Sequence, residues 1–355
     1  MKRVKQILAL FLCITLAIST SACSNNSWAL KTEDDNVTSS EYVYYLLVAH
    51  NLAITQLSSK GIATDDISNE QIEDKNASDW IREKAIQLSK EKLAKEKLFK
   101  DLNLSLTDKE TEEAQNITDS TWNEVGTALE TKYGISKDAF HEAGTLIDIK
   151  TEKIFEATYG KDGTNPVSDE EIVNYYKENY IRLLVYSKAP YDGNESSNEN
   201  SDDQMVGNAN DTEEVIESQF KKYSDEINSG TNSIDQISQE IKQVDGLDES
   251  DTPLHELLFN PNDEQYAEEM RNAAKSLEVG KATYLKFDDI YIFLFRSSLD
   301  ESALDLNDET ERSSILKTMK SDEFQNKINQ TIDSLNIEVN NSAINQYNPS
   351  MFDNK

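Results

Sequence analysis

Cysteine is scarce in this sequence. Its 355 residues include two cysteines, Cys13 and Cys23. Cys13 lies in an N-terminal segment that we expect to be removed, so the mature chain would keep Cys23 alone and could form no intramolecular disulfide. A chain without disulfides must be stabilised by an ordinary hydrophobic core, and this chain is long enough to form about two domains.

Positive charge is also scarce. Lys and Arg number 35 against 67 Asp and Glu, which gives a net charge of −32. We expect no nucleic-acid partner, because phosphates are bound by Lys and Arg. Broad electrostatic adhesion to anionic lipid is disfavoured for the same reason, so a membrane location would need another kind of anchor. The acidic surface favours solubility and attraction to cations or basic proteins.

Residues that commonly bind metals or cofactors are few. The three histidines, His50, His141 and His255, lie in separate segments without HExxH spacing. The sequence has neither a glycine-rich phosphate-binding loop nor a GxSxG nucleophile motif. It therefore predicts no metal site and no cofactor.

The N-terminal residues have the pattern of a secretory signal. A basic head, Met1–Lys5, is followed by the apolar run Ile7–Ile18 and by small residues. The apolar run is about a dozen residues long, whereas a helix that spans a bilayer core needs roughly 20. We expect residues 1–22 to be a signal peptide.

The residues before Cys23 resemble a bacterial lipobox, with Ser21 and Ala22 in the small positions. Thr20 departs from the usual leucine, and plain cleavage after Ala22 is the alternative. The resemblance predicts a lipid on Cys23, followed by a polar tether to residue 36. The mature chain would then lie on the extracytoplasmic face of the bacterial cell membrane.

The first half of the mature chain has the pattern of a helical domain. Capping boxes, in which Ser or Thr is followed three residues later by Glu, begin at Thr38, Thr107 and Ser168. Apolar residues spaced three and four apart follow the first of these boxes, from Tyr42 to Leu57. We predict a helical domain at residues 37–180, with continuous helix over residues 137–159.

The second half is mixed in character. Ile181–Tyr186 is an apolar run typical of a buried strand, and residues 188–211 hold so little to bury that we expect a disordered loop. Three helical segments follow. Two apolar stretches, Ala282–Phe287 and Ile290–Arg296, are then separated by two Asp residues, which is a hairpin signal. This order predicts a small α+β domain at residues 181–298.

Two further segments complete the predicted secondary structure. We expect His255 to lie in a loop. The spacing of apolar residues predicts a final helix over about residues 307–335. A polar, extended tail follows it to Lys355.

Three segments resemble the SurA/PrsA family of extracytoplasmic foldases: Val37–Tyr45, Tyr133–Phe140 and Val167–Tyr180. The resemblance implies a mainly α, α+β fold. A helical chaperone domain would be completed by the C-terminal residues 299–355, and a parvulin-like prolyl isomerase domain would be inserted at residues 181–298.

The family's two catalytic-site histidines have no counterpart here. The positions matched to them read Leu183 and Tyr291, and the glycine-rich stretch of the family is reduced to Asp245–Asp248. The resemblance therefore implies no catalytic residue, and prolyl isomerase activity that is weak or lost.

A foldase of this family would bind unfolded or newly secreted proteins through a helical surface with exposed aromatic rings. The candidate client-binding residues are aromatic: Tyr42, Tyr45, Phe140, Tyr175 and Tyr176. Three alternatives remain open: an active parvulin-type peptidyl-prolyl cis-trans isomerase, a solute-binding lipoprotein of a transporter, and a structural envelope lipoprotein.

Overall fold

The computed structural model describes residues 27–64, 66–191, 211–263, 266–287, 289–300, 304 and 306–353. The predicted signal peptide, Cys23 and most of the predicted loop 188–211 lie outside the described residues. The chain divides into two compact units, the first formed by Met1–Pro166 with Lys320–Lys355 and the second by Val167–Met319. Helices dominate and the sheets are small and antiparallel, so the predicted mainly α, α+β class is confirmed.

The first unit is built mainly from helices. They are α1 (Ser39–Ser58), α2 (Ala77–Asp101), α3 (Asp108–Tyr133), α4 (Lys137–Phe140) and α5 (Leu146–Tyr159). A single π-helical segment, His141–Thr145, joins α4 to α5. Residues 137–159 are therefore helical throughout, as predicted, with a π-helical turn at these five residues.

The predicted capping boxes are confirmed. The Thr38 side chain accepts a hydrogen bond from the backbone N–H of Glu41, whose side chain accepts one from the N–H of Thr38. The same reciprocal pair begins α3 at Thr107. It also begins α6 (Asp169–Asn179), the first helix of the second unit, at Ser168. Each box satisfies backbone donors that a helix N-terminus leaves without partners.

A three-stranded sheet lies at the N-terminal end of the described chain. Strand β1 (Trp28–Lys31) lies between β2 (Asn36–Thr38) and β9 (Glu338–Val339). Ala29 and Leu30 of β1 are fully buried. A separate two-stranded hairpin is formed by β3 (Gln71–Ile72) and β4 (Lys75–Asn76).

The prediction of an extended C-terminal tail is wrong. After β9 the chain forms α11 (Asn341–Ile344) and a 3-10 turn, Pro349–Phe352. Phe352 is buried, with its ring centroid 4.8 Å from that of Tyr133. The Asp353 carboxylate is bonded to buried His50 at 3.1 Å and accepts a hydrogen bond from Ser68 at 2.7 Å. These few buried groups order a segment whose composition is mostly polar.

The second unit contains a four-stranded antiparallel sheet. After α6 come β5 (Ile181–Lys188), α7 (Glu213–Ser229), α8 (Ile234–Asp245), β6 (His255–Phe259), α9 (Glu268–Ser276), β7 (Ala282–Phe287) and β8 (Ile290–Ser297). The strand order is β6-β5-β8-β7. Phe287 pairs with Ile290, which confirms the two-residue hairpin.

One strand of this sheet is absent from the sequence-based prediction. His255, expected in a loop, begins β6, and that expectation is wrong. The missed strand is short, and Leu257, Leu258 and Phe259 are consecutive apolar residues. Without polar alternation, such a run does not separate a strand from other buried segments.

The last helix, α10 (Glu309–Ser334), begins in the second unit, and its residues from Lys320 onward belong to the first. There, Phe324 packs edge-on against Phe155 at 5.3 Å between ring centroids. Ile328 joins the same buried cluster as Leu98 of α2.

Candidate functional site

Three aromatic rings from three helices meet at the edge of the first unit's core. We call Tyr44 of α1, Trp122 of α3 and Phe140 of α4 the aromatic patch. The ring centroid of Phe140 lies 5.7 Å from that of Tyr44 and 6.0 Å from that of Trp122. All three residues are half-buried, so each is in partial contact with solvent. These separations are typical of favourable edge-to-face and tilted aromatic pairs.

Two glycines allow the outer rings of the aromatic patch to lie where they do. A Cβ atom on Gly144 would lie 2.7 Å from the hydroxyl oxygen of Tyr44. A Cβ atom on Gly126 would lie 2.5 Å from the indole of Trp122. Glycine inside a helix destabilises it by roughly 0.5–1 kcal/mol relative to alanine. The close approach of the two rings leaves no room for a Cβ atom, which explains why glycine occupies both positions despite this cost.

The π-helical segment lies directly after Phe140 and is bonded to α3. The hydroxyl of buried Thr118 lies 2.8 Å from Nδ1 of His141 and donates to Thr145 at 3.0 Å. Single π-helical turns inside α-helices occur frequently at functional sites. Here the two hydrogen bonds of Thr118 join α3 to the π-helical turn that follows Phe140.

Helix α3 turns small and polar residues inward. Its buried positions include Ala114, Thr118 and Gly126. Two of its apolar residues face solvent instead, with 47% of Ile117 and 42% of Val125 exposed. The helix that supplies Trp122 therefore also presents aliphatic side chains outward.

Acidic groups lie near the aromatic patch. Burial, with a smaller contribution from the Asp148 carboxylate, raises the pKa of Tyr44. The Tyr44 phenol is therefore neutral at physiological pH. On α3, Asp119 pairs with Lys137 at 2.6 Å, and hydrogen bonds from Lys137 and Gln115 lower the pKa of this carboxyl.

The five predicted client-binding residues lie in different surroundings. Tyr42 and Tyr45 are buried in the core of the first unit, and Tyr176 is buried in the second. Tyr175, also in the second unit, is half-buried. Phe140 is the predicted residue that belongs to the aromatic patch.

The other two members of the patch are not among the five candidate residues. Tyr44 and Trp122 come from helices α1 and α3, and the sequence gives no spacing that joins them to Phe140. One signal was available, because Trp122 is a large aromatic residue on a helix with few apolar residues.

The structure does not bring Leu183 and Tyr291 together. Leu183 pairs with Arg296 across β5 and β8, whereas Tyr291 pairs with Lys188. Positions 183 and 188 differ by an odd number, so the two sites lie on opposite faces of the sheet. Leu183 is buried among residues such as Phe259, and Tyr291 is buried in a separate cluster that includes Phe220.

A buried ion network surrounds Lys188. Its ammonium lies 2.9 Å from Asp211 and 2.6 Å from Asp245, and the Tyr186 hydroxyl donates to Asp245 at 2.5 Å. The side chains of Lys188 and Asp211 are 4% and 5% exposed. Burial, followed by the hydrogen bond to Asp245, raises the pKa of Tyr186. No sequence pattern indicates this network, because Asp211 and Asp245 are far along the chain from Lys188.

Tyr291 is bonded to a carboxylate. Its hydroxyl donates to Glu213 at 3.2 Å, and Lys286 pairs with the same Glu213 oxygen. Burial and this hydrogen bond raise the pKa of Tyr291. The polar groups of Tyr291 and Lys188 are thus engaged by neighbouring side chains.

Metal binding and membrane crossing have no support in the described parts of the chain. Within those residues, no group of three or more His, Cys, Asp or Glu side chains is arranged to hold a metal ion. Among the helices that they form, none combines the length and the apolar character that crossing a bilayer requires.

Of three comparisons with known proteins, the one with solved structures finds proteins similar to this chain. No protein-family model and no curated protein matches the chain. The foldase protein PrsA of Streptococcus pneumoniae is 15% identical, over 88% of this chain and 95% of that one, with a TM-score of 0.34. PrsA of Lactococcus lactis is 12% identical, over 92% and 98%, with a TM-score of 0.34.

A third structure comes from Campylobacter jejuni and is described as a SurA-like chaperone. It is 12% identical, over 89% of this chain and 100% of that one, with a TM-score of 0.26.

Proposed function

We propose that this protein is a lipid-anchored extracytoplasmic foldase that binds unfolded secreted proteins at the aromatic patch of its first unit. The observation that carries the proposal is the meeting of the Tyr44, Trp122 and Phe140 rings in residues that are each only half-buried. Unfolded chains expose the aromatic and aliphatic side chains that folded proteins bury. Rings already fixed in position bind such side chains with little loss of conformational entropy.

Reversible binding of many clients requires a surface that does not depend on one particular client sequence. The patch offers ring faces and edges, and α3 adds the exposed aliphatic side chains of Ile117 and Val125. Such contacts are roughly proportional to the apolar area covered and are non-directional. The net charge of −32 favours clients with basic segments.

The same proposal takes prolyl isomerase activity to be weak or lost. Isomerisation breaks no σ bond, so a site need only prefer the twisted amide and lower a barrier of roughly 20 kcal/mol. The support is the arrangement around Tyr291 and Lys188, whose polar groups are bonded to Glu213, Asp211 and Asp245. The alternative is an active parvulin-type isomerase, and an assay of prolyl isomerase activity distinguishes the two.

A solute-binding lipoprotein of a transporter is the other alternative. Proteins of that class alternate strands and helices in α/β domains. Here the first unit is mainly helical, and the sheets of the described residues are antiparallel. This architecture favours the foldase.

The lipid anchor forms part of the proposal and is separately testable. Burial of lipid contributes about 0.8 kcal/mol per CH₂, so two or more acyl chains hold a protein stably on a membrane. Cys23→Ala should release the protein from the membrane fraction, whereas Cys13→Ala should leave it attached. Full attachment of Cys23→Ala would refute the anchor and leave the binding surface untouched.

Suppression of aggregation tests the binding function. The soluble chain that begins at Ser24 should slow the aggregation of an unfolded client, and the double variant Trp122→Ser, Phe140→Ser should lose most of this effect. Leu52→Ser is the matched control, because Leu52 is an exposed apolar residue of α1 outside the patch. Circular dichroism must show that each variant is folded. Equal suppression by the wild type and the double variant would contradict the proposal.

A further inference from the structure

Strand β6 forms one edge of the four-stranded sheet and pairs with β5 alone. The pairing is regular over five residues, from Phe259 opposite Ile181 to His255 opposite Val185. In an antiparallel ladder, alternate residues direct both their N–H and their C=O groups away from the partner strand. The outer side of β6 therefore presents a row of backbone donors and acceptors.

At the opposite edge of the same sheet, α7 covers the start of β7. The Asn228 side chain of α7 donates to the carbonyl of Ala282 at 2.9 Å and accepts from its N–H at 3.0 Å. The Lys281 side chain donates to the carbonyl of Asn228 at 3.0 Å, and the Lys286 side chain pairs with Glu213 of α7. This helix thus satisfies both outward backbone groups of Ala282, the first residue of β7.

No comparable cover is present at β6. None of the hydrogen bonds formed between described residues reaches the backbone of His255–Phe259 from its outer side. His255 and Glu256 are exposed, and Leu257 and Leu258 are half-buried. Proteins usually protect such an edge with lysine, proline, a bulge or a covering helix.

Prolines limit the length of this edge without blocking it. Pro253 lies two residues before β6 and Pro261 two residues after it, and these are two of the five prolines in the chain. Proline has no N–H to donate to a ladder, so further pairing stops there. The accessible edge is thus restricted to the few residues between them.

We infer that the outer edge of β6 binds an extended, basic segment of an unfolded polypeptide as an additional strand. The inference rests on the proposed function and adds a second client-binding surface to it. Backbone hydrogen bonds carry the affinity in strand addition, so recognition does not depend on one client sequence. The net charge of −32 attracts a cationic segment and opposes the pairing of β6 with a second copy of the same chain.

Hydrogen–deuterium exchange on the soluble full chain tests the inference. The probe is a short peptide in which valine and lysine alternate. Its control has the same side chains, with alternate backbone nitrogens methylated so that it cannot form a ladder. We expect the first peptide to slow exchange of outward amides in residues 255–259 by on the order of tenfold, without slowing those of β7. The methylated peptide should leave β6 unchanged.

A pair of variants adds a test through charge. His255→Lys places a cation on the exposed edge and should weaken binding of the basic peptide several-fold. Phe287→Lys, at an exposed position at the end of β7, should leave binding unchanged. Equal effects of the two variants would contradict the inference.

The outcomes separate this inference from the proposed function. Unchanged exchange in β6, with aggregation still suppressed through the aromatic patch, overturns the inference alone. Protection of β6 in a protein whose patch variants suppress aggregation normally overturns the proposed site alone. Protection of β6 that is already present in the free protein and disappears on dilution shows that a second copy occupies the edge, and also overturns the inference.

Discussion

Lys188 lies directly opposite Tyr291 in the antiparallel register of β5 and β8. The lysine is held by the buried carboxylate of Asp211 and by that of Asp245, and the tyrosine is bonded to Glu213. Residues directly opposite each other share a sheet face, so the two polar arrangements are neighbours. On this face of the second unit, the polar groups of Lys188 and Tyr291 are therefore engaged in ion pairs and hydrogen bonds with neighbouring side chains.

The first prediction concerns isomerase activity. Uncatalysed proline isomerisation takes about 10–100 s at 25 °C, which makes weak catalysis easy to detect. We expect the soluble chain to add little to this rate on a proline peptide, and Tyr291→Ala to change nothing, because the polar groups at this position are already bonded to neighbours. Efficient isomerisation that falls in Tyr291→Ala would identify an enzyme.

The second prediction concerns the stability of the second unit. Lys188→Met leaves two buried carboxylates without their cation and should lower the free energy of unfolding by about 3–5 kcal/mol. Denaturant unfolding followed by circular dichroism measures the loss. The three tryptophans, Trp28, Trp80 and Trp122, all lie in the first unit, so their fluorescence transition should not move.

The matched control for Lys188→Met is Lys221→Met. Lys221 pairs with Asp225, and both side chains are well exposed. Exposed ion pairs contribute little to stability, so the unfolding midpoint should stay in place. Equal shifts of the unfolding midpoint in the two variants would mean that the buried Lys188 network contributes no more to stability than an exposed ion pair.

The third prediction concerns a buried cap in the first unit. Glu41 accepts the N–H of Thr38 and pairs with Lys92 at 2.7 Å, with 5% and 8% of the two side chains exposed. Glu41→Ala removes both interactions and strands a buried ammonium, so it should lower the free energy of unfolding by about 3–5 kcal/mol. Tryptophan fluorescence in denaturant measures this change.

Glu110→Ala is the control for Glu41→Ala. Glu110 completes the capping box of α3 and pairs with Lys153, but its side chain is more exposed. Removing it should destabilise the first unit by a smaller amount, because the lysine that is left behind can be solvated. A larger loss for Glu110→Ala than for Glu41→Ala would contradict this explanation.

The fourth prediction concerns the turn between β3 and β4. Glu73 and Asp74 have φ values of 52° and 62°, a left-handed conformation that glycine adopts without strain. Glu73→Gly should raise the free energy of unfolding by up to about 1 kcal/mol, because a glutamate in this conformation is strained and a glycine is not. Asn103→Gly is the control: its φ is 53°, but asparagine tolerates this conformation, so we expect little change in a thermal melt. A lower free energy of unfolding in Glu73→Gly would show that Glu73 is not strained.

The helices of the first unit could be predicted because their signals are local. A capping box such as Thr38–Glu41 lies within four residues, and apolar residues recur at spacings of three and four along α1. The parts that were missed depend on distant residues. The tail is ordered by contacts of Phe352 and Asp353 with residues far away in the sequence, such as His50.

The candidate site shows the same limit. Phe140 could be predicted from its segment, but its neighbours Tyr44 and Trp122 come from other helices. An aromatic residue is exposed or buried according to how its helix packs, and its residue type does not decide this. Tyr45 is buried beside half-buried Tyr44 for this reason.

Site-specific photo-crosslinking tests the central claim most directly. A photoreactive phenylalanine analogue replaces Phe140 in one form of the soluble chain and Leu52, which is also partly exposed, in another. Each form is irradiated with a permanently unfolded basic protein. Binding at the aromatic patch predicts strong crosslinking from position 140 and little from position 52. Equal yields at the two positions, or none at position 140, would contradict it.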